Sequence, residues 1–570
     1  MYTDFFQKVF LLVLAAGILM ISCSKDEPLP QSEIPLISSV SPAEGTPGTE
    51  LTITGANFKQ GAGVFVGDKQ STIVEVVHDT VLYAIVPSGI PANVLLTVKV
   101  KNTMGGEASM ANAFKAIEPQ LSFVNSATKP SGNTGSTVIL EGYAFGDIQG
   151  EGKVLFSDGS ETGTIEAVIA NPDDWTDTFI VTTVPNEAAD GPVMIMTETG
   201  YSNSLHFTIV ANAVFSPSTI NWTVTTPLPL AVSGHHVLRI PIDDAALETH
   251  QYIYTSGGRT SDGVPSNQLV YGKINNNADI ASWENTTPLP KALAFHATAA
   301  ATPFNSRVSG SGHIYVLGGI DQDGEVLSSV SVGNINEDGT VQASWNYTTE
   351  LPQPLYAAGA VIFRGSVYIV GGSTTSGDPV KSVYRAVIHE SGQLGEWEAL
   401  PDLPAARTHH GVVTFGGYLY SVGGETAAVD PDSGTMGSAS DQVFYSRISL
   451  RTGIIDPWVT NASALQKNRS KHSTIVLGGS MFVSSGLYSG LSPNVQGSSE
   501  NMYATINADG SVGSFGGATG SNTLFTAGGN NLFNQGGVSY IDAEGVAHVM
   551  ILGGAKVGSP NTKLDKVMFY

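Results

Sequence analysis

Cysteine is nearly absent: Cys23 is the single one in 570 residues. One sulfur forms no internal disulfide, and with no Cys-x-x-Cys or Cys/His spacing a structural zinc site on thiolates is excluded. Long apolar runs are missing after the first 21 residues. The run there, VFLLVLAAGILMI, has 13 residues, short of the roughly 20 that a bilayer-spanning helix needs. Positive charge is scarce as well, with 26 Lys and Arg against 50 Asp and Glu. The net charge of -24 repels a phosphate backbone and excludes nucleic acid as a partner. What the chain does have is 41% hydrophobic residues, enough to bury real cores. Its 65 Gly and 29 Pro point to many turns and short strands rather than long helices. At 570 residues it exceeds a single core and divides into several domains.

Position explains the lone sulfur. A polar start with Lys8, the apolar run, and small Ser22 directly before Cys23 give residues 1–22 the layout of a secretory signal. LMISC resembles the lipobox of bacterial lipoproteins, which implies cleavage before Cys23, thioether lipidation of its sulfur and attachment to a membrane. Ser24 after the cysteine is similar to lipoproteins bound for the outer membrane. SKDE resembles the tag that sends some of them to the cell surface. Residues 23–33, polar and proline-rich, read as a stiff spacer.

From there the pattern alternates, as in LTITG, GVFVG and LLTVKVKN, which predicts short antiparallel strands. SVSPAEGTPGTELTITGANF, with the later AIVPSG and Phe114, resembles an IPT/TIG domain, an immunoglobulin-like sandwich, over residues 34–117. GSTVILEGYAF repeats GTELTITGANF, with Gly142 matching Gly55 and Phe145 matching Phe58, so residues 118–210 form a second, more diverged copy. Trp175 and Asp173–Asp174 lie in its longer loop and read as a solvated turn with a tethered aromatic.

Residues 211–570 carry a longer repeat. Paired glycines close strand-like runs at Gly257–Gly258, Gly318–Gly319, Gly371–Gly372, Gly423–Gly424 and Gly553–Gly554, with Ser485–Gly486 a worn copy. A second signature, INEDGTVQASWNYTTELP and its relatives, keeps step and carries Trp283, Trp345, Trp397 and Trp458. Six copies predict a propeller with one blade each, and the tryptophans pack between blades. The pattern resembles kelch repeats of the galactose-oxidase-like superfamily. The last strand, ending at Tyr570, lacks its partner, and INWTVTTPLP with Trp222 supplies it from the front, closing the sixth blade. The fold class is therefore all-β: two Ig-like sandwiches followed by a six-bladed propeller.

This fold hosts enzymes and binding modules alike, so function is argued from sites. The copper-radical oxidase chemistry known in the superfamily needs a cysteine in the propeller, and none is present. No cofactor is expected. A column of histidines precedes the inner strands: His235, His296, His410 and His472, with Ala358 and Gly528 in the remaining copies. These read as structural rather than metal-binding, without the partner spacing of a metal helix.

Two neighbouring columns vary. Three residues earlier stand Val232, Leu293, Leu355, Arg407, Arg469 and Phe525; one residue earlier, Gly234, Phe295, Ala357, His409, Lys471 and Ala527. Arg407, His409, Arg469 and Lys471 then gather positive charge at one mouth, where an anion can bind, with Phe295 and Tyr356 as flat surfaces for a sugar ring. Long loops after the double glycines share that face and add Arg259, Asp321, Asp323 and Tyr488. The expected function is capture of a glycan or protein ligand by a surface lipoprotein with the sandwiches as spacers. The alternative is a kelch-type epimerase or lyase acting on an acidic sugar, although no catalytic residue is identifiable.

Overall fold

In TGANF the glycine is a steric requirement. Strand Glu50–Ala56 crosses strand Leu36–Ser41 so closely that a Cβ on Gly55 would stand 1.7 Å from the Leu36 carbonyl oxygen and 2.7 Å from the Phe58 ring. EGYAF repeats the arrangement: a Cβ on Gly142 would stand 1.9 Å from the Gln120 carbonyl and 2.6 Å from the Phe145 ring. Both phenylalanines are 2% exposed, so each Gly-x-x-Phe is one packing unit in which the missing side chain admits the ring to the core. Each such ring contributes about 1.5–3 kcal/mol by burial.

The computed structural model describes residues 34–103, 106–125, 130–209, 220, 222–243, 249–302, 311–477, 479–488, 501–518, 532–541, 547–556 and 558–570. The signal segment and Cys23 lie outside the described residues. The structure is all-β, two sandwiches and a six-bladed propeller. In the first sandwich a four-stranded sheet, Leu36–Ser41, Glu50–Ala56, Val81–Ile85 and Val74–His78, faces one built on Glu107–Ala116, Leu95–Lys101 and Gly63–Val66. Residues 50–90 and 94–115 with the strand before them are one compact unit, and 116–570 are the other.

Within that larger unit the second sandwich is joined to the propeller. Its turn Pro172–Asp174 leaves Pro172 and Asp173 exposed but is tied down rather than free. Trp175 is 0% exposed and its indole donates to the Phe145 carbonyl at 3.0 Å. Asp174 accepts from Arg447 of the fourth blade at 2.6 Å, and Arg451 donates to the Trp175 carbonyl at 3.2 Å. The Arg364 guanidinium stacks 4.2 Å from the Phe179 ring centre, and Val181 enters the core of blades three and four beside Phe363. The second sandwich is thus an attached element, which corrects its reading as a free spacer.

Each blade is a four-stranded antiparallel sheet. The inner strands are His236–Asp243, Ala297–Ala301, Gly359–Phe363, Gly411–Phe415, Ser473–Leu477 and Gly536–Ile541. Strand Thr223–Thr225 pairs with Val567–Phe569, with Val224 opposite Met568, so the front of the repeat closes the sixth blade. Trp222 and Tyr570 share one core cluster. The tryptophans tie blades together: Trp283, Trp397 and Trp458 donate to the Thr226, Thr349 and Pro401 carbonyls at 2.9, 3.1 and 2.9 Å. A second set of ties escaped the sequence reading. Tyr315, Tyr368 and Tyr420 each donate to a hairpin-turn carbonyl of the next blade, those of Gly392, Gly453 and Gly510, at 2.8, 2.6 and 2.9 Å.

Candidate functional site

One residue before each inner-strand junction the backbone turns left-handed. Gly234, Phe295, Ala357, His409, Lys471 and Asn534 have φ of 62°, 54°, 50°, 52°, 53° and 54°. Each amide donates to the equivalent carbonyl of the neighbouring blade, at 2.8–3.1 Å, and the six bonds close a ring around the axis. Four of the six are neither Gly nor Asn, and each such residue costs on the order of 1 kcal/mol in this conformation. That strain turns their side chains onto a channel of about 420 Å³. The last member is Asn534, not Ala527. In the sixth blade the histidine position is held by Gln535 and the earlier column by Leu532; Phe525 and Gly528 lie outside the described residues.

The histidine column holds blades together. A Cβ on Gly257, Gly371, Gly423 or Gly553 would stand 2.7, 2.6, 3.0 or 2.6 Å from the rings of His296, His410, His472 and His235. Each imidazole therefore fills the space a glycine leaves in the adjacent blade. Burial holds all four down to about 3, so they are neutral at physiological pH. Among the described residues no group of three or more His, Cys, Asp or Glu is placed to hold a metal.

The column three residues earlier points into the blade packing, which changes the standing of two predicted site residues. Arg407 is 1% exposed; it donates to Ser440 Oγ and Gln442 Oε1 at 2.9 Å each and stacks 4.8 Å from Phe444. Arg469 is 0% exposed, donates to the Ser485 carbonyl at 2.7 Å and stacks 5.2 Å from Tyr488. Neither faces the mouth. Tyr488 is itself buried between Arg469 and Lys467. Asp321 shapes its own turn by accepting the Asp323 and Glu325 amides at 3.0 Å each, and Asp323 stays exposed.

His409, Lys471, Phe295 and Tyr356 do come together. The His409 ring stands edge-on to Phe295 at 5.9 Å and to Tyr356 at 6.2 Å, and its Nε2 has no hydrogen-bond partner. Burial, helped by Lys471, keeps His409 neutral, well below the usual histidine value. None of these side chains is open to solvent, because the long loop of blade four lies over them. Lys471 donates its ammonium to the Asp430 and Ser433 carbonyls at 2.9 and 2.8 Å. Asn534 donates to the Pro431 carbonyl at 2.8 Å. The Asp432 carboxylate is held by Arg259 of the first blade at 3.0 Å and by Lys563 of the sixth at 3.5 Å.

Comparisons with known proteins match this architecture. Residues 35–116 match the family IPT/TIG domain. Later segments are similar to kelch-like proteins: mouse Kelch-like protein 36 is 26% identical over 194 residues, 34% of this chain and 27% of that protein. Kelch-like protein terF of Aspergillus terreus is 28% identical over 148 residues, 25% of this chain and 30% of that one. Beta-scruin of Limulus polyphemus is 26% identical over 164 residues, 28% and 16% of the two chains. The chain thus spans less than a third of the length of each of these curated relatives. The chain pairs an IPT/TIG domain with a kelch-type propeller. The solved structure of YjhT, 14% identical, covers 60% of this chain and 96% of that one with a TM-score of 0.40.

At the mouth of the kelch-type propeller three cations on three blades hold the blade-four loop, Arg259 and Lys563 by the Asp432 carboxylate and Lys471 by the Asp430 and Ser433 carbonyls, with buried aromatic rings beneath. Burial lowers Lys471 to about 8 although Glu425, Asp430 and Asp432 pull it upward. The carboxylate this cluster receives is the chain's own Asp432. Sequence reasoning missed Lys563 and Asn534, because both belong to blade six, where the repeat is most worn. The signal that was available is Asp-Pro-Asp in the longest loop, acids set in a tight turn facing a basic rim.

Proposed function

We propose that this chain is a lipid-anchored bacterial surface protein whose propeller captures an anionic glycan at the loop-bearing mouth, with Cys23 as the lipidation site. A binding or scaffolding role follows from the pairing of an IPT/TIG domain with a kelch-type propeller; the anionic glycan and the surface location are the finer reading. One observation carries it: in a chain of net charge -24, Arg259 and Lys563 converge on the Asp432 carboxylate, and Lys471 beside them holds the backbone carbonyls of Asp430 and Ser433. Phe295 and Tyr356 lie below as apolar faces for a sugar ring. A protein presenting acidic side chains is the other partner this face fits.

The test is a glycan array read with wild type and with Arg259→Ala and Lys563→Ala. Acidic glycans bind and neutral ones do not, and each variant weakens binding at least tenfold. Equal binding of neutral glycans, or unchanged binding in both variants, removes the reading. Arg407 and Arg469 are unsuitable for this purpose, since each holds its blade together. A second reading, an enzyme acting on an acidic sugar, draws on the neutral His409 with its unpaired Nε2 beside Tyr356. Product formation from a bound uronate, followed by NMR, distinguishes it from capture.

A further inference from the structure

The blade-four loop that covers the mouth is built as a detachable piece. Its neck is pinned by Thr426, which donates its amide to the Ser438 carbonyl at 2.9 Å and its hydroxyl to the same oxygen at 2.6 Å. Beyond the neck, residues 427–437 hold their own shape: the Asp432 amide donates to Asp430 Oδ1 at 3.0 Å, and the Ser433 hydroxyl to the Asp430 carbonyl at 2.8 Å. This is a compact surface loop with its ends together, the kind that moves as a body.

Its hold on the mouth is mostly polar. Asp432 pairs with Arg259 and Lys563, the Asp430 and Ser433 carbonyls receive Lys471, and the Pro431 carbonyl receives Asn534. Met436 adds an apolar contact on Leu487, Phe533 and Ala555. Lifting the loop strips Lys471, Lys563 and Asn534 of these partners at once and uncovers two cations that are buried while it is seated, so the open mouth presents unpaired donors to a ligand. What satisfies them is a carboxylate with neighbouring hydroxyls. The channel beneath, about 420 Å³ and lined by Phe295 and His409, suits one sugar ring better than a folded peptide segment.

We propose that residues 427–437 are a displaceable flap whose Asp432 carboxylate occupies the anion site formed by Arg259 and Lys563, with Lys471 beside it, so that a uronic-acid glycan must compete with the chain's own carboxylate to bind. This rests on the binding reading above and adds self-occlusion to it. The free protein then shows an affinity reduced by the fraction of molecules with the flap open.

The experiment compares wild type with Asp432→Asn, which keeps the side chain's shape and removes its charge. Hydrogen exchange across 426–438 is expected to accelerate about tenfold in the variant while the inner strands exchange as before. D-glucuronate, measured by calorimetry with D-glucose as control, is expected to bind the variant about tenfold more tightly. Unchanged exchange overturns the flap, and faster exchange with unchanged glucuronate affinity overturns the competition. An aspartate-rich peptide is the third arm; its binding with no glucuronate binding overturns the sugar assignment. If neither protein binds any acid while exchange accelerates, the capture reading fails and the competition fails with it, leaving only a loosened loop.

Discussion

His235, His296, His410 and His472 each bury an imidazole against a glycine of the neighbouring blade, and burial drives all four down to about 3. The unfolded chain titrates these groups near 6.5 and so binds protons that the native state refuses. Stability is therefore full above about pH 6.5 and falls as pH drops toward 3. At pH 5 each ring costs about 2 kcal/mol relative to neutral pH. Gln535 shows that an uncharged side chain fills the same position in the sixth blade. His472→Gln, which also removes a base near Arg469 and His410, is expected to gain about 2 kcal/mol over wild type at pH 5 and to change little at pH 7.5. Urea unfolding at the two pH values measures this; an equal shift at both contradicts a neutral buried ring. At this scale the histidine column was legible, because a residue repeated in register serves the repeat. The arginines were misread. Spacing placed Arg407 and Arg469 near His409 and Lys471, but a two-residue offset through a left-handed turn sends one pair into the blade and the other to the channel.

Strand Thr223–Thr225 is only three residues long, yet it supplies the outer strand of blade six. Without it, Val567–Phe569 becomes an open edge. Thr223→Pro removes a ladder donor opposite Phe569 and is expected to cost about 3 kcal/mol or more, while Thr223→Val is expected to cost less than about 1 kcal/mol. Limited proteolysis near residue 225 should rise with the proline variant alone; equal protection in both variants means that the strand does not hold the disc closed. Strand count, closure and the tryptophan ties were readable from the repeat because each is set by local pattern. The register of blade six was not. LFTAGGN and LFNQGGV are near-duplicates, and only the second precedes an apolar strand, VSYI, with Asn534 suited to the left-handed turn that completes the ring. Loop length between blades leaves no periodic mark, so spacing alone does not separate the two copies.

At the scale of the molecule, the joint between the second sandwich and the propeller was invisible in the sequence: Asp174 and Arg447 are 273 residues apart, and each reads alone as an ordinary turn or strand-end residue. Their side chains are 17% and 19% exposed, so the pair is largely desolvated. Burial raises Asp174, and Arg447 pulls it partway back. Breaking a fully buried pair costs 3–5 kcal/mol; with this residual exposure about 2 kcal/mol is expected for Arg447→Asp, with Asp173 adding repulsion. Val181, packed beside Phe363, keeps the joint partly closed even then. Calorimetry should show the sandwich and propeller melting together in wild type and separating in Arg447→Asp. The reversed pair, Asp174→Arg with Arg447→Asp, should recover at least half of the loss, because the geometry is retained while the charges exchange. If the single variant melts as wild type does, the ion pair contributes nothing to the coupling and the apolar contacts alone hold the second sandwich against blades three and four. Recovery by the double variant would instead identify the charge pair as what fixes the sandwich on the propeller, and with it the direction in which the mouth is presented.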